Sequence, residues 1–257
     1  MFAALQMYDW PEVRAETDAF WRAVREALAT HDLPGEEDLH RGEDLAAAWR
    51  DPGLLLGQTC GLPLTLGLAA PAQPFARPSY GVEGCGSGTY CSVLLAREAG
   101  TLADFQGARA AINGWDSQSG CNALKDAVAG YPAPFFREVR VTGAHRASAD
   151  ALCAGEADLC ALDAVAWALY QMAEPARAAA LHPVGWSAVT PSLPYVTSPA
   201  FAAHAPALVA ALEAAIQALP PSPALPVAVM PASLADYAPI AEMNARVAGL
   251  PLGPGDG

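Results

Sequence analysis

Charge is scarce in this chain. Asp, Glu, Lys and Arg make up 16% of its 257 residues, and 27 acidic residues against 14 basic ones leave a formal charge of -13. A field of that sign repels phosphate backbones, so nucleic acid is not an expected partner. Long apolar runs are missing too. The stretches at 54–56 and 157–161 fall far short of the roughly 20 residues that span a bilayer, and the sequence predicts a soluble protein without membrane insertion. After Met1 come Gln6, Asp9, Glu12 and Arg14, with no basic region leading into an apolar segment and a small-residue cleavage site. No signal peptide is read, and the chain as written is expected to be cytoplasmic if it is complete.

Catalytic signatures are also absent. There is no Gly-x-Ser-x-Gly elbow, no Walker loop, no Gly-x-Gly-x-x-Gly after the first strand and no His-Glu-x-x-His. Cys60 and His145 supply a thiol and a base, but no third orienting group stands at a useful spacing. Gly84-Cys85-Gly86-Ser87-Gly88 is followed by no basic residue and reads as a turn. The cysteines at 60, 85, 91, 121, 153 and 160 form neither a Cys-x-x-Cys pair nor a Cys/His zinc pattern. Cys85 with Cys91, and Cys153 with Cys160, stay open as disulfides or as buried thiols. The expectation is a non-enzyme with no metal and no cofactor.

What the chain does have is apolar content, 53% of residues, enough for real cores. Residues 2–7 read as a buried strand, and Pro11 opens an amphipathic helix to about 29 with Phe20, Trp21, Val24 and Leu28 on one face. Further strands are predicted at 54–58, 90–96, 108–112, 138–141 and 159–162, with helices at 120–128, 145–153 and 163–172 between or after them. A Pro-rich extended return path covers 183–199, and helices follow at 201–219 and 233–247, with a loose end at 251–257. The alternation predicts an α/β fold, with mixed or parallel sheets flanked by helices.

Ligands of open α/β sheets bind beyond the carboxyl ends of strands, where helix N-termini present N–H groups. Polar residues cluster at such ends here: Tyr8-Asp9, Thr59-Cys60-Gly61, Asp116 to Gly120, His145 and Asp163. Ser117-Gln118-Ser119-Gly120 is the richest, with two hydroxyls, an amide and N-terminal N–H groups able to surround an oxyanion. Ser117 or Ser119 capping its own helix is the competing role. His145 suits an anion or a local loop contact, and Ser148 looks like the cap of its helix. Asp163 suits a cationic ligand group or the N-cap of the helix carrying Trp167. Tyr8, Tyr80 and Trp115 read as pocket walls or as core-edge plugs.

The central segments resemble the phosphate, phosphite and phosphonate-binding group of ABC-transporter periplasmic binding proteins, of type II topology. That group has a Ser-Thr-Ser-Gly loop before a helix, matched by Ser117-Gln118-Ser119-Gly120 with Gln118 in place of the threonine. It then has Thr-Gly-x-His-x-x-Ser, matched from Thr142 through His145 to Ser148. Gly155-Glu156-Ala157-Asp158 and Asp163 follow in the same order. The likeness is good over about 90–172.

The resemblance implies two lobes, residues 1–85 with 198–257 and residues 90–183, joined by hinge crossings at 86–89 and 184–197. It also implies closure around a small anionic or zwitterionic ligand held by Tyr8, Thr59, Cys60, Tyr80, Trp115, Ser117, Gln118, Ser119, His145 and Asp163. A periplasmic, monomeric binder serving an ABC permease is the implied role. The alternatives are a cytosolic enzyme on the same fold, like the pyrimidine synthases, and a ligand-sensing domain.

Overall fold

A computed structural model describes residues 1–254 apart from Asp32, Pro34 and Glu43, and the end of the predicted tail from Gly255 onward lies outside the described residues. The chain begins with β1 (Phe2–Ala4), α1 (Arg14–Leu28), α2 (Leu45–Arg50), β2 (Leu54–Gln58), α3 (Gly61–Pro63) and β3 (Gln73–Ser79). There follow β4 (Cys85–Gly86), β5 (Thr89–Tyr90), β6 (Ser92–Ala96), β7 (Arg109–Ile112), α4 (Ala123–Val128), β8 (Glu138–Val141), α5 (His145–Cys153), β9 (Leu159–Asp163), α6 (Ala164–Ala173) and α7 (Pro175–Ala178). The last stretch holds β10 (His182–Trp186), β11 (Thr190–Pro191), β12 (Tyr195–Thr197), α8 (Ala205–Ala218), β13 (Ala228–Pro231) and α9 (Ala238–Val247).

Two compact units result. The first contains Met1–Gly81, Cys85–Thr89 and Pro191–Ala238, and the second contains Val82–Gly84, Tyr90–Thr190 and Pro239–Gly257. This differs from the sequence-based division, which kept 198–257 in one lobe. The chain divides at Ala238 because Leu252 is buried among Phe135, Phe136 and Leu124 in the second unit, and its carbonyl accepts from Phe136 N at 3.0 Å.

The first unit is built on a mixed sheet in the order β1-β2-β12-β3-β13, with β1 and β2 parallel and the other pairs antiparallel. Phe20, Trp21, Val24 and Leu28 recur at helical spacing on α1 and pack with Leu208, Ala211, Leu212 and Ala215 of α8 over Leu55, Leu56 and Phe75 of the sheet. The run Pro199–Ala218 is, by length and composition alone, long and apolar enough to cross a membrane, with mean hydropathy 1.4. That corrects the expectation drawn from shorter runs, although its apolar face serves as core in this unit.

β3 was not expected, because Pro74 and Pro78 fall inside it. Its odd residues face β13, where Phe75 O and Ser79 O accept from Ala232 N and Val227 N. The prolines therefore turn toward β12. There the pairing shifts register between Tyr195 and Val196, and the Pro78 carbonyl accepts from Ser192 Oγ at 2.5 Å. The glycine-rich stretch is a turn as expected: β4 and β5 are neighbours in a three-stranded sheet with β11, and Gly84 and Gly88 take φ of 85° and 61°.

The second unit has a mixed sheet in the order β10-β6-β9-β7-β8. β7 is parallel to both β9 and β8, so the carboxyl ends of these three strands share one edge, and each leads into a helix. Leu94, Ala96, Ala110, Ile112, Leu159 and Ala161 line one face of the sheet under Leu124, Val128, Phe135 and Phe136. Asp158 fixes the start of β7. Its carboxylate accepts from Arg109 N, Nε and Nη2 at 3.0, 3.0 and 2.6 Å, and the guanidinium holds the Asp158 carboxyl below the usual carboxylate range.

Candidate functional site

At the end of β7 the chain turns through Asn113 to Asp116 into a wide helical turn, Gln118–Asn122, that continues as α4. Ser117 is its N-cap, with φ -80° and ψ 126°, and Ser117 Oγ accepts from Gly120 N at 3.0 Å. Capping is thus a real role of Ser117, and it leaves the hydroxyl proton to donate elsewhere. Gly120 leaves room for Asn113: a Cβ there would lie 1.9 Å from Asn113 Oδ1, so a larger residue would force that side chain to move. That oxygen is shielded from water and has no hydrogen-bond partner among the described residues. Asn113 was not singled out from the sequence, because nothing marks an Asn in a turn as packed against a glycine seven residues later.

The loop after β8 is stitched to the same edge. Thr142 N and Oγ1 both donate to Ile112 O, at 2.8 and 3.0 Å, and Thr142 Oγ1 meets Ser148 Oγ at 2.7 Å. Ser148 is therefore not the cap of α5. Ala144 holds the N-cap position without a side-chain bond, and Ser148 is buried within the helix. This places His145 at the first position of α5, where Nε2 lies 2.8 Å from Ser119 Oγ. The residue is half-buried, but Nδ1 is shielded from water. Burial pulls the ring's pKa below 6.5 against the opposing charge of Asp163 and the carbonyl of Ala161, so the neutral ring is favoured.

Asp163 ends β9 and caps α6, its Oδ1 accepting from Ala166 N at 2.9 Å, and it is 2% exposed. The structure thus brings Ser117, Ser119, His145 and Asp163 to one edge of one sheet. Gln118 and Trp115 behave otherwise. Gln118 Oε1 accepts from Asn122 Nδ2 at 2.7 Å and its Nε2 donates to Met243 Sδ at 3.2 Å, so the side chain turns into the interior of the unit. A direct contact of this side chain with the expected ligand would require the amide to leave these two partners. Trp115 is 46% exposed, with Lys125 Nζ 5.7 Å from its ring centroid. Lys125 is the single lysine of the chain. The pair is a cation–π contact on the outside of α4.

The first unit places its four candidate residues differently. Tyr8 and Tyr80 are 4% and 5% exposed and meet edge to face at 5.3 Å, with Gln58 Nε2 donating to Tyr80 Oη at 3.1 Å. Thr59 is fully buried and its N–H donates to Pro194 O at 3.2 Å. Cys60 is a half-buried thiol at the N-cap position of α3, where its side chain makes no capping bond. Asp9 is engaged by Arg41 Nε at 2.6 Å and by Thr17 Oγ1 at 2.5 Å, as a structural ion pair. None of the six cysteines is joined in a disulfide. No group of three or more metal-ligating side chains occurs among the described residues.

A family profile described as ABC transporter, phosphonate, periplasmic substrate-binding protein matches residues 58–243. No curated protein matches the chain. Among solved structures, PhnD1 of Prochlorococcus marinus in complex with methylphosphonate is 14% identical with a TM-score of 0.73, over 97% of this chain and 98% of that one. A binding-protein component of an ABC phosphonate transporter from Pseudomonas aeruginosa is 12% identical with a TM-score of 0.72, over 95% of this chain and 85% of that one. A Xanthomonas citri protein bound to ATP is 15% identical with a TM-score of 0.67, over 97% of each chain. These likenesses establish the type II periplasmic-binding-protein fold. The family match covers most of the chain and all the residues gathered at the edge of the second sheet, and the chain belongs to the phosphonate family of ABC-transporter periplasmic substrate-binding proteins, as a non-catalytic solute-binding component.

Proposed function

We propose that the phosphonate head group is held at the shared edge of β7, β8 and β9 by Ser117, Ser119, the N–H groups opening the Gln118–Asn122 turn, His145 and Asp163. The observation that carries this reading is the 2.8 Å approach of Ser119 Oγ to His145 Nε2, which joins residues 26 positions apart at the mouth of a helical turn. Hydroxyls and N–H groups donate to the oxygens of the anion, and the partial positive charge of the helical N-terminus favours it without an adjacent Lys or Arg. Asp163 can only accept when ionised. It therefore selects a ligand that carries a proton toward it, as an acidic P–OH or an ammonium group. The ligand is a small organophosphonate delivered to an ABC permease.

Calorimetric titration with methylphosphonate, aminoethylphosphonate, phosphate and sulfate tests this reading. Heat of binding is expected with the phosphonates and is expected to fall sharply in Ser119→Ala. Equal binding by wild type and Ser119→Ala would remove this site from consideration.

A further inference from the structure

Ser119 has to face His145, and something must fix the rotation of the short turn that carries it. Neighbouring residues on a helical turn point about a quarter-turn apart, so whatever holds the residue before Ser119 also sets the direction of Ser119. That residue is Gln118, 1% exposed, and its amide is held at both ends. Its oxygen accepts from Asn122 one turn later, and its nitrogen donates to Met243 of α9, 125 positions away in the chain. Asn122 is itself 2% exposed, and its Oδ1 has no hydrogen-bond partner among the described residues. Loss of Gln118 would therefore strand the Asn122 amide entirely, a cost that buried polar groups normally avoid. A second tie runs parallel to the first: Arg246 Nη2, one turn along α9, reaches Asp126 Oδ1 at 2.8 Å. The terminal helix thus braces the turn and the α4 helix behind it.

We propose that Gln118 is a positioning residue of the anion site, acting through Met243 and Asn122 to aim Ser119 at the ligand. This rests on the placement of the phosphonate proposed above. It makes α9 part of the binding apparatus while none of its residues touches the ligand. Gln118 then does by orientation what a ligand-contacting side chain would do directly.

The test compares Gln118→Leu, Met243→Leu, the double variant, and the exchange Gln118→Met with Met243→Gln, each titrated with methylphosphonate and melted without ligand. Met243→Leu keeps volume and removes the acceptor. Gln118→Leu and Met243→Leu are each expected to weaken binding about tenfold, the double variant no more than either alone, and the exchange to restore most of the loss. If Gln118→Leu loses binding while Met243→Leu does not, Gln118 contacts the ligand and the inference is overturned. Lowered melting temperatures with unchanged affinity would reduce the contact to a purely structural one, and unchanged affinity in Gln118→Leu likewise ends the proposal. Ser119→Ala run alongside separates the two claims: intact binding there removes the site itself, whereas weakened binding there with intact binding in Gln118→Leu removes only the role of Gln118.

Discussion

The loop ends of the two units carry candidate residues of similar composition but use them differently. In the second unit Ser117, Ser119, His145 and Asp163 lie at the ends of neighbouring parallel strands, and Ser119 and His145 address one another. In the first, Tyr8, Thr59 and Tyr80 are buried and bonded or packed locally, and Asp9 is neutralised by Arg41. Strand direction accounts for the contrast. Three strands of the second sheet run the same way and start helices at one edge, whereas β1 and β2 are the one parallel pair in the first sheet. Helix N-termini accumulate where parallel strands end, and oxyanion sites follow them.

Removing the ion pair of the first unit sharpens the comparison most. Arg41→Met leaves Asp9, whose side chain is 5% exposed, without its counter-charge and should cost about 3 kcal/mol, read as a lowered denaturation midpoint with methylphosphonate affinity unchanged. A loss of affinity larger than the loss of stability would show that this cluster takes part in binding after all. In the second unit Gly120→Ala should cost about 2 kcal/mol through overpacking against Asn113 and should weaken binding as well. Asn113→Ala placed in the same chain should restore part of both, and no recovery would locate the conflict elsewhere.

Side-chain donors provide the next contrast. Ser119→Ala should raise the Kd for methylphosphonate about tenfold, the loss of one charge-assisted hydrogen bond, while Tyr80→Phe should change it less than threefold. The reverse ranking would move the anion to the first unit. The smallest effect is on pH dependence. Because burial depresses the folded pKa of His145 below 6.5, both states hold the neutral ring above that pH and the stability contribution is complete there. As pH falls through this range the unfolded chain binds the proton first, and stability declines until the folded pKa is reached. His145→Asn should flatten that acid-side slope by less than about 1 kcal/mol in melts between pH 7.5 and 5.5. An identical slope in both proteins would mean that His145 is not the titrating group.

Much of the fold was legible because local rules governed it. The strands at 54–58 and 138–141 and the helix at 145–153 appear where apolar runs and polar ends placed them. β3 was not legible, since two prolines in a central strand are tolerated only through the shifted pairing of β12 and the hydroxyl of Ser192. The Ser, His and Asp residues were readable as polar positions at strand ends, whereas the contacts of Asn113 and Met243 were not, because each packs against a partner that the sequence does not place beside it.

The sequence by itself determined the α/β alternation, the excess of acidic residues and the loops that hold the polar side chains, since these depend on composition and on neighbours a few residues away. Tertiary structure decided which way those side chains point. Ser117, Gln118 and Ser119 are consecutive and all polar, yet one caps its turn, one is drawn inward by Asn122 and Met243, and one meets His145. Direction around a helix axis is set by packing partners, and here those partners arrive from 26 and 125 positions away.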